Sequence, residues 1–236
     1  MLADDIRTAL AVHADPARAA QERAYLKSDR TFLGTGVPAM RAATLAAART
    51  QPGLDHDTLV AAASSLWADD VHEHLAAAVE LLGGHVDLLG PADLALLESF
   101  LRTARTWALV DGIAPHVVGP IVERHPEAAE VLDRWSTDDD FWLRRAAMLA
   151  LLVPLRNGAG DWDRFSRYAD ALLDEREFFI RKAIGWILRD TARTRPDLVF
   201  EWCLPRATRM SGTTYREAVK RLSEEQRAAL AVARGS

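Results

Sequence analysis

The chain has 236 residues, enough to bury a large hydrophobic core without a disulfide or a structural metal. Its single cysteine, Cys203, excludes a disulfide framework and a cysteine-based zinc cluster, and it fits a reducing cytosol. The N-terminus lacks the apolar segment of a secretory signal, and the longest apolar stretch, residues 146–155, is about half of a membrane span. We expect a monomeric cytoplasmic protein that forms one domain over residues 1–236 and contacts no membrane.

Helices are predicted along the whole chain. Apolar residues recur at spacings of three and four, as in Leu94, Leu97 and Leu101, and no segment alternates for long with β-branched residues. Glycine, proline and polar residues interrupt this pattern at residues 34–38, 51–53, 83–91, 125–126, 156–161 and 195–196. The sequence therefore predicts an all-α protein of ordinary helices joined by short loops.

Short blocks of similar sequence recur along the chain. Residues 143–147 (LRRAA) align with residues 180–184 (IRKAI) at an offset of 37, and these align with residues 215–219 (YREAV) at a further offset of 35. Residues 71–75 and 107–111 fall in looser register with the same series. A period of about 35 to 40 residues with two helices per unit is typical of HEAT-like arrays. We predict a HEAT-like repeat α-solenoid whose second helices line one concave face.

Charge is unevenly distributed. The formal net charge is −5, but residues 141–221 contain 16 Lys and Arg against 10 Asp and Glu, while the remainder contains 13 against 24. Basic residues on the predicted second helices would form a strip that makes the concave face a DNA-binding face, because arginine binds the phosphate oxygens of such a polyanion with a planar fork. The strip comprises Arg144, Arg145, Arg181, Lys182, Arg189, Arg216, Lys220 and Arg221. The sequence leaves open that these cations form a solvated face or pair with Glu177, Asp190 and Glu217.

Four segments resemble the AlkD-type alkylpurine DNA glycosylases, a family built from HEAT-like repeats. They are RAYLK with FLG in residues 23–34, WALVD with IAP in residues 107–115, WLRRAA in residues 142–147, and FFIRKAIGWILR in residues 178–189. The likeness runs from about Arg23 to Lys220. The last segment is long enough to be specific.

The resemblance implies an activity and a set of site residues. The catalytic aspartate of the family corresponds to Asp111, and the tryptophan four residues before it corresponds to Trp107. Trp186 corresponds to the tryptophan that contacts the sugar–phosphate of the lesion. An arginine that contacts DNA corresponds to Arg145, and an N-terminal tyrosine corresponds to Tyr25. The implied partner is double-stranded DNA that carries N3- or N7-alkylated purines, and the family excises them without flipping the base.

These residue types suit the chemistry of base removal. An N3- or N7-alkylated purine is already cationic, so its N-glycosidic bond breaks without a strong general acid. The developing oxocarbenium charge is best met by a fixed carboxylate and electron-rich aromatic faces, which Asp111, Trp107 and Trp186 would supply. Some relatives have a second tryptophan where this chain has Ala108, which affects the wall of the cleft rather than this chemistry. We expect no cofactor and no metal.

Other patterns are weaker, and two alternatives stay open. His72 and His74 flank Glu73, but the zinc-hydrolase motif HExxH is absent. One alternative is a non-catalytic HEAT-like scaffold that binds DNA or protein. The other is a self-resistance glycosylase that removes bulky adducts made by the cell's own metabolite. Four further tryptophans have spacings suited to packing between repeats: Trp67, Trp135, Trp162 and Trp202.

Overall fold

The structure is a computed structural model that describes residues 1–235. Over this range the chain forms helices and no strand, and extended residues pair only at Thr31 and Val71. The all-α prediction is therefore confirmed. The described residues include no helix that is both long and apolar enough to cross a membrane. Two compact units divide the chain, one over Met1–Ile121 and one that begins at Val122, and the single-domain expectation stays a prediction.

The first unit consists of two layers of helices. Its helices are α1 (Leu2–Ala11), α2 (Pro16–Leu26), α3 (Val37–Arg49), α4 (His56–Trp67), α5 (His72–Gly84), α6 (Leu94–Ala104) and α7 (Trp107–Ile113). The second helices α3, α5 and α7 pack side by side. Helix α1 packs on α3, α4 packs on α5, and α6 packs on α7. Pairs of helices stacked in this way are the arrangement of a helical-repeat array.

The second unit repeats this pattern. Helix α8 (Gly119–Arg124) contains the residues at which the first unit ends and the second begins. Then follow α9 (Glu130–Trp135), α10 (Phe141–Leu149), α11 (Leu152–Arg156), α12 (Trp162–Ala171), α13 (Phe178–Thr191), α14 (Pro196–Cys203), α15 (Gly212–Ala218) and α16 (Glu224–Arg234). Helices α10, α13 and α15 pack side by side, while α9 and α12 pack on α10, and α11 and α14 pack on α13.

The three best aligned sequence blocks open α10, α13 and α15, as the repeat pattern predicts. Each of these helices begins after a polar residue whose side chain accepts a backbone N–H of the first turn, and these residues are Asp140, Glu177 and Ser211. Gly185 allows α13 and α15 to approach closely, since a Cβ atom there would lie 2.8 Å from Cβ of Glu217. The repeat register thus places equivalent residues of successive second helices next to each other.

The four tryptophans assigned to packing lie away from solvent to different extents. Trp135 and Trp202 are buried in the core, which confirms their prediction. The Trp67 ring stacks on Phe100 with ring centroids 4.3 Å apart, and Trp162 is half-buried. These rings contribute to the packing between helices of the same unit.

Candidate functional site

Helix α7 presents two of the predicted catalytic residues. Trp107 is its first residue and Asp111 follows one turn later, so both side chains lie on the same face of the helix. Thr106 caps α7, because its side chain accepts the backbone N–H of Ala108 at 3.3 Å. Both Trp107 and Asp111 are half-buried. The helix therefore holds an aromatic ring and a carboxylate side by side at a partly desolvated surface.

Two local features shape the backbone around Asp111. Gly112 packs tightly on α5, since a Cβ atom there would lie 2.8 Å from Cγ1 of Val79. Pro115 has no N–H to offer the carbonyl of Asp111, four residues earlier. Pro115 lies within a π turn over Ala114–Val118 that directly follows α7, an irregularity that is frequent at functional sites. The close packing of Gly112 on α5 restrains the backbone from which the Asp111 side chain projects.

Tyr25 lies next to Trp107. Its ring meets the Trp107 ring edge to face, with centroids 6.0 Å apart, while the tyrosine side chain is largely exposed. Arg30, which the sequence does not mark as part of the site, lies after the end of α2, and its guanidinium donates to the carbonyls of Thr103 and Ala104. Those carbonyls belong to the last turn of α6, so Arg30 links the segment after α2 to the end of α6, just before α7 begins. The structure thus brings together Tyr25, Trp107 and Asp111 within the first unit.

Trp186 lies on α13 in the second unit, at the edge of an open cleft. Its indole Nε1–H donates to Oδ2 of Asp190 at 3.1 Å, one turn further along the helix. The cleft has a volume of about 730 Å³. It is lined by Trp186 and Asp190 together with five cationic residues, namely Arg156, Arg189, Arg193, Lys220 and Arg221. An aromatic face beside a surplus of positive charge is a surface that a sugar–phosphate chain can bind.

Glu217 holds three of the predicted DNA-binding cations. Lys182 Nζ lies 2.6 Å and Lys220 Nζ 3.0 Å from its Oε1, and Nη1 of Arg189 donates to Oε2. Burial of this carboxyl favours its neutral form, but the hydrogen bonds from Lys182 and Lys220 outweigh burial and lower the Glu217 pKa to about 2. Ion pairing within the strip, which the sequence left open, is therefore present for these three cations.

Three other arginines that are predicted to contact DNA form hydrogen bonds to backbone carbonyls of the second unit. Arg144 donates to the backbone carbonyls of Asp138 and Asp139, and Arg181 donates to the carbonyl of Glu175 at 2.7 Å. Arg145 is buried, and its guanidinium lies 5.8 Å from the centre of the Phe179 ring and donates to the Phe179 carbonyl. Arg216 is exposed. Direct DNA contact by Arg144, Arg145, Arg181 and Arg216 stays a prediction.

Three features of the cleft are not predicted from the sequence. They are the presence of Arg156 and Arg193 and the role of Asp190 as the acceptor for Trp186. A signal for two of them is present, because Trp186, Arg189, Asp190 and Arg193 follow the spacing of one helix face. Arg156 carries no such signal. It ends α11, and only the packing of α11 on α13 brings it to the cleft.

The HEH segment at residues 72–74 has structural contacts. Both carboxylate oxygens of Glu73 accept backbone N–H groups, from Leu33 at 2.9 Å and from Gly34 at 2.6 Å. Burial and the charge of Arg30 lower the pKa of His72 to about 4. Among residues 1–235, no three His, Cys, Asp or Glu side chains cluster in a way that could hold a metal ion.

The fold and the cleft define a helical-repeat protein with a basic surface for a polyanion. A family model described as "DNA alkylation repair enzyme" matches residues 6–222, and the chain belongs to this family. The predicted family resemblance is thereby confirmed. The match includes every residue proposed above for catalysis or DNA binding.

Solved structures share this fold. The chain is 24% identical to a protein described as a predicted DNA alkylation repair enzyme from Enterococcus faecalis, with a TM-score of 0.78 over 90% of this chain and 98% of that chain. It is 20% identical to AlkD2 from Streptococcus mutans, with a TM-score of 0.61 over 87% and 99%. For smu.31 from Streptococcus mutans UA159 the identity is 18% and the TM-score 0.59, over 88% and 98%. No curated protein matches the chain.

Proposed function

We propose that the protein is a DNA glycosylase that hydrolyses the N-glycosidic bond of cationic N3- or N7-alkylated purines in duplex DNA. Membership in the DNA alkylation repair enzyme family supports this class of reaction. The observation that carries the proposal is the placement of Trp107 and Asp111 on one face of α7, both half-buried. A fixed carboxylate next to an aromatic face stabilises the positive charge of an oxocarbenium-like sugar.

In this reaction Asp111 acts on the sugar rather than on the base. The alkylated purine takes the electron pair of the breaking bond and leaves as a neutral base, so it needs no proton from the enzyme. Positive charge develops on the deoxyribose and is stabilised by the Asp111 carboxylate and the π face of Trp107. Asp111 then orients the water that attacks C1′ and receives its proton, which leaves an abasic site.

The cleft around Trp186 binds the DNA backbone in this proposal. Trp186 contacts the sugar–phosphate, while Arg189, Lys220 and Arg221 bind phosphate oxygens. Phosphate then competes with Glu217 for Arg189 and Lys220, because both cations pair with this carboxylate in the structure. The further predicted DNA contacts belong to the same proposal: Tyr25, Arg144, Arg145, Arg181, Lys182 and Arg216.

Selection of the lesion follows from its own charge. A cationic purine departs faster than a neutral one from the same sugar environment, so the protein need not read the base edge. We therefore place the lesion inside the duplex stack, without base flipping. We also assign both units to one functional domain, because the family match runs across both units. We propose that this domain works as a cytoplasmic monomer.

The experiment that tests the proposal uses the wild-type protein and a duplex with a single N7-methylguanine. Released N7-methylguanine is measured by chromatography, with the unmodified duplex as the control. We expect release of the alkylated base only. Binding of both duplexes without any released base, from this lesion or from N3-methyladenine, would instead support a non-catalytic DNA-binding protein, since the cationic cleft alone accounts for binding.

A further inference from the structure

We propose that Asp190 is a positioning residue that fixes the ring of Trp186 in the cleft. The inference rests on the proposed function, which assigns Trp186 to the sugar–phosphate of the lesion. Asp190 touches no substrate in this proposal. It acts through the indole, by holding the ring plane in the orientation that the deoxyribose meets.

Three donors converge on the Asp190 carboxylate. Its Oδ2 accepts from Trp186 Nε1 at 3.1 Å and from Arg156 Nε at 2.9 Å, and its Oδ1 accepts from Arg189 Nε at 3.1 Å. The carboxylate is buried, with 7% of the residue exposed. Charge-assisted hydrogen bonds in such surroundings are short and directional. The carboxylate is therefore held in one place by two arginines and is a fixed acceptor for the indole.

The indole has only one polar atom to anchor it. Nε1–H is a donor and the ring has no acceptor, so the bond to Asp190 is the contact that selects among the orientations of the ring. Trp186 is half-buried at an open cleft, where packing alone leaves part of the ring without neighbours. Loss of the Asp190 acceptor would free the ring to turn, and a misplaced contact group costs rate even when the chemistry is intact.

A second carboxylate in the same unit offers a matched control. Asp133 accepts from the hydroxyl of Tyr168 at 2.5 Å and from Arg164 Nε at 3.2 Å. It thus joins an aromatic donor to an arginine as Asp190 does, but none of these residues lines the cleft of Trp186. Asp133→Ala therefore measures how the loss of a carboxylate that joins an aromatic donor to an arginine affects the protein when it lies outside the cleft.

The first measurement concerns the ring itself. In a ¹H–¹⁵N spectrum of the free protein, the Trp186 indole signal is assigned as the one that Trp186→Phe removes. We expect Asp190→Ala to shift this signal and to speed its hydrogen exchange, while Asp133→Ala leaves it in place. An unchanged Trp186 signal in Asp190→Ala would overturn the proposal, whatever the protein does to DNA.

The second measurement separates positioning from a general effect of charge. Trp186→Phe keeps an aromatic face but removes the donor, so Trp186→Phe, Asp190→Ala and the double variant should all slow single-turnover excision by the same factor, about 10- to 100-fold. Multiplied losses in the double variant would show that Asp190 acts independently of the indole and would overturn the proposal.

A conservative variant covers the case in which Asp190→Ala does not fold. Asp190→Asn retains one carbonyl oxygen that can accept from the indole but loses the negative charge, so we expect a shifted Trp186 signal that still exchanges slowly, and excision that is only modestly slowed. Rapid hydrogen exchange of the Trp186 indole in Asp190→Asn would contradict the proposal. If the wild type releases no base, the proposed function fails, while the indole spectra still decide the role of Asp190.

Discussion

The rings of Tyr25 and Trp107 meet edge to face, with centroids 6.0 Å apart and the planes nearly perpendicular. Edge-to-face pairs of this kind contribute about 0.5 to 1.5 kcal/mol beyond their buried area. Tyr25 is 73% exposed, so it has little part in the core, and its ring contacts Trp107 near the surface of the first unit. The tyrosine therefore supports the ring that stands one turn before Asp111.

This contact predicts different results for two variants of Tyr25. Tyr25→Phe keeps the ring that contacts Trp107 and should excise N7-methylguanine at the wild-type rate. Tyr25→Ala removes this ring and should be slower, with a melting temperature close to that of the wild type because the side chain is exposed. Single-turnover rates and thermal melts test this. Equal slowing by Tyr25→Phe would show that the hydroxyl, rather than the ring, matters.

Substitution of the cleft tryptophan Trp186 and of the core tryptophan Trp135 should have different effects. Trp186→Ala should reduce excision with little loss of stability, because this half-buried ring borders the cleft. Trp135 has no exposed surface, so Trp135→Ala should lower the free energy of unfolding by about 3 to 5 kcal/mol through a cavity. Urea unfolding measures the stability of both variants, and excision assays measure their activity. The reverse pattern would place Trp135 in the function and Trp186 in the core.

Arg221 and Arg145 should differ in how they respond to salt. Arg221 is exposed in the cleft, so Arg221→Ala should flatten the slope of log affinity against log salt by about one unit without loss of stability. Arg145 is buried on Phe179, so Arg145→Ala should lower the melting temperature, and its slope reports whether it also reaches phosphate. Titrations of a plain duplex at several salt concentrations provide the slopes. An unchanged slope for Arg221→Ala would exclude this arginine from the interface.

The lowered pKa of Glu217 predicts that the stability of the protein depends on pH. Its pKa in the folded protein is about 2, below the ordinary value of 4.5, so the unfolded chain binds the proton more readily. The stabilisation from Glu217 is complete above about pH 4.5 and is lost as the pH falls toward about 2. Glu217→Gln cannot titrate, so the difference in unfolding free energy between wild type and variant should shrink as the pH falls from about 4.5 toward about 2. A constant difference across this range would contradict the ion pairs with Lys182 and Lys220.

The sequence predicts the helical repeats well, for a physical reason. The blocks at residues 143, 180 and 215 recur because each second helix buries the same positions against its neighbour, and the equivalent residues Ala146, Ala183 and Ala218 are all fully buried. Local patterns of this kind are visible in the sequence. The sequence leaves open whether the cations are solvated or pair with acids such as Glu217, since it does not specify which side chains of adjacent helices meet.

Contacts made by loops and helix ends cannot be predicted from local sequence patterns. Arg30 reaches carbonyls more than seventy residues away, at the end of α6, and nothing in its own neighbourhood signals this. Arg156 stands in a predicted break between helices, yet it pairs with Asp190 on α13. Both contacts depend on the packing of whole helices, which periodicity does not specify.

The measurement that tests the central claim most directly is single-turnover excision of N7-methylguanine from duplex DNA by the wild type and by Asp111→Asn. The substitution keeps the size and hydrogen-bonding capacity of the side chain but removes the charge that stabilises the oxocarbenium. We expect the rate to fall by about 10²- to 10³-fold, while affinity for the duplex is maintained or slightly increased. Equal rates for the two proteins would contradict the assignment of Asp111 as the catalytic carboxylate.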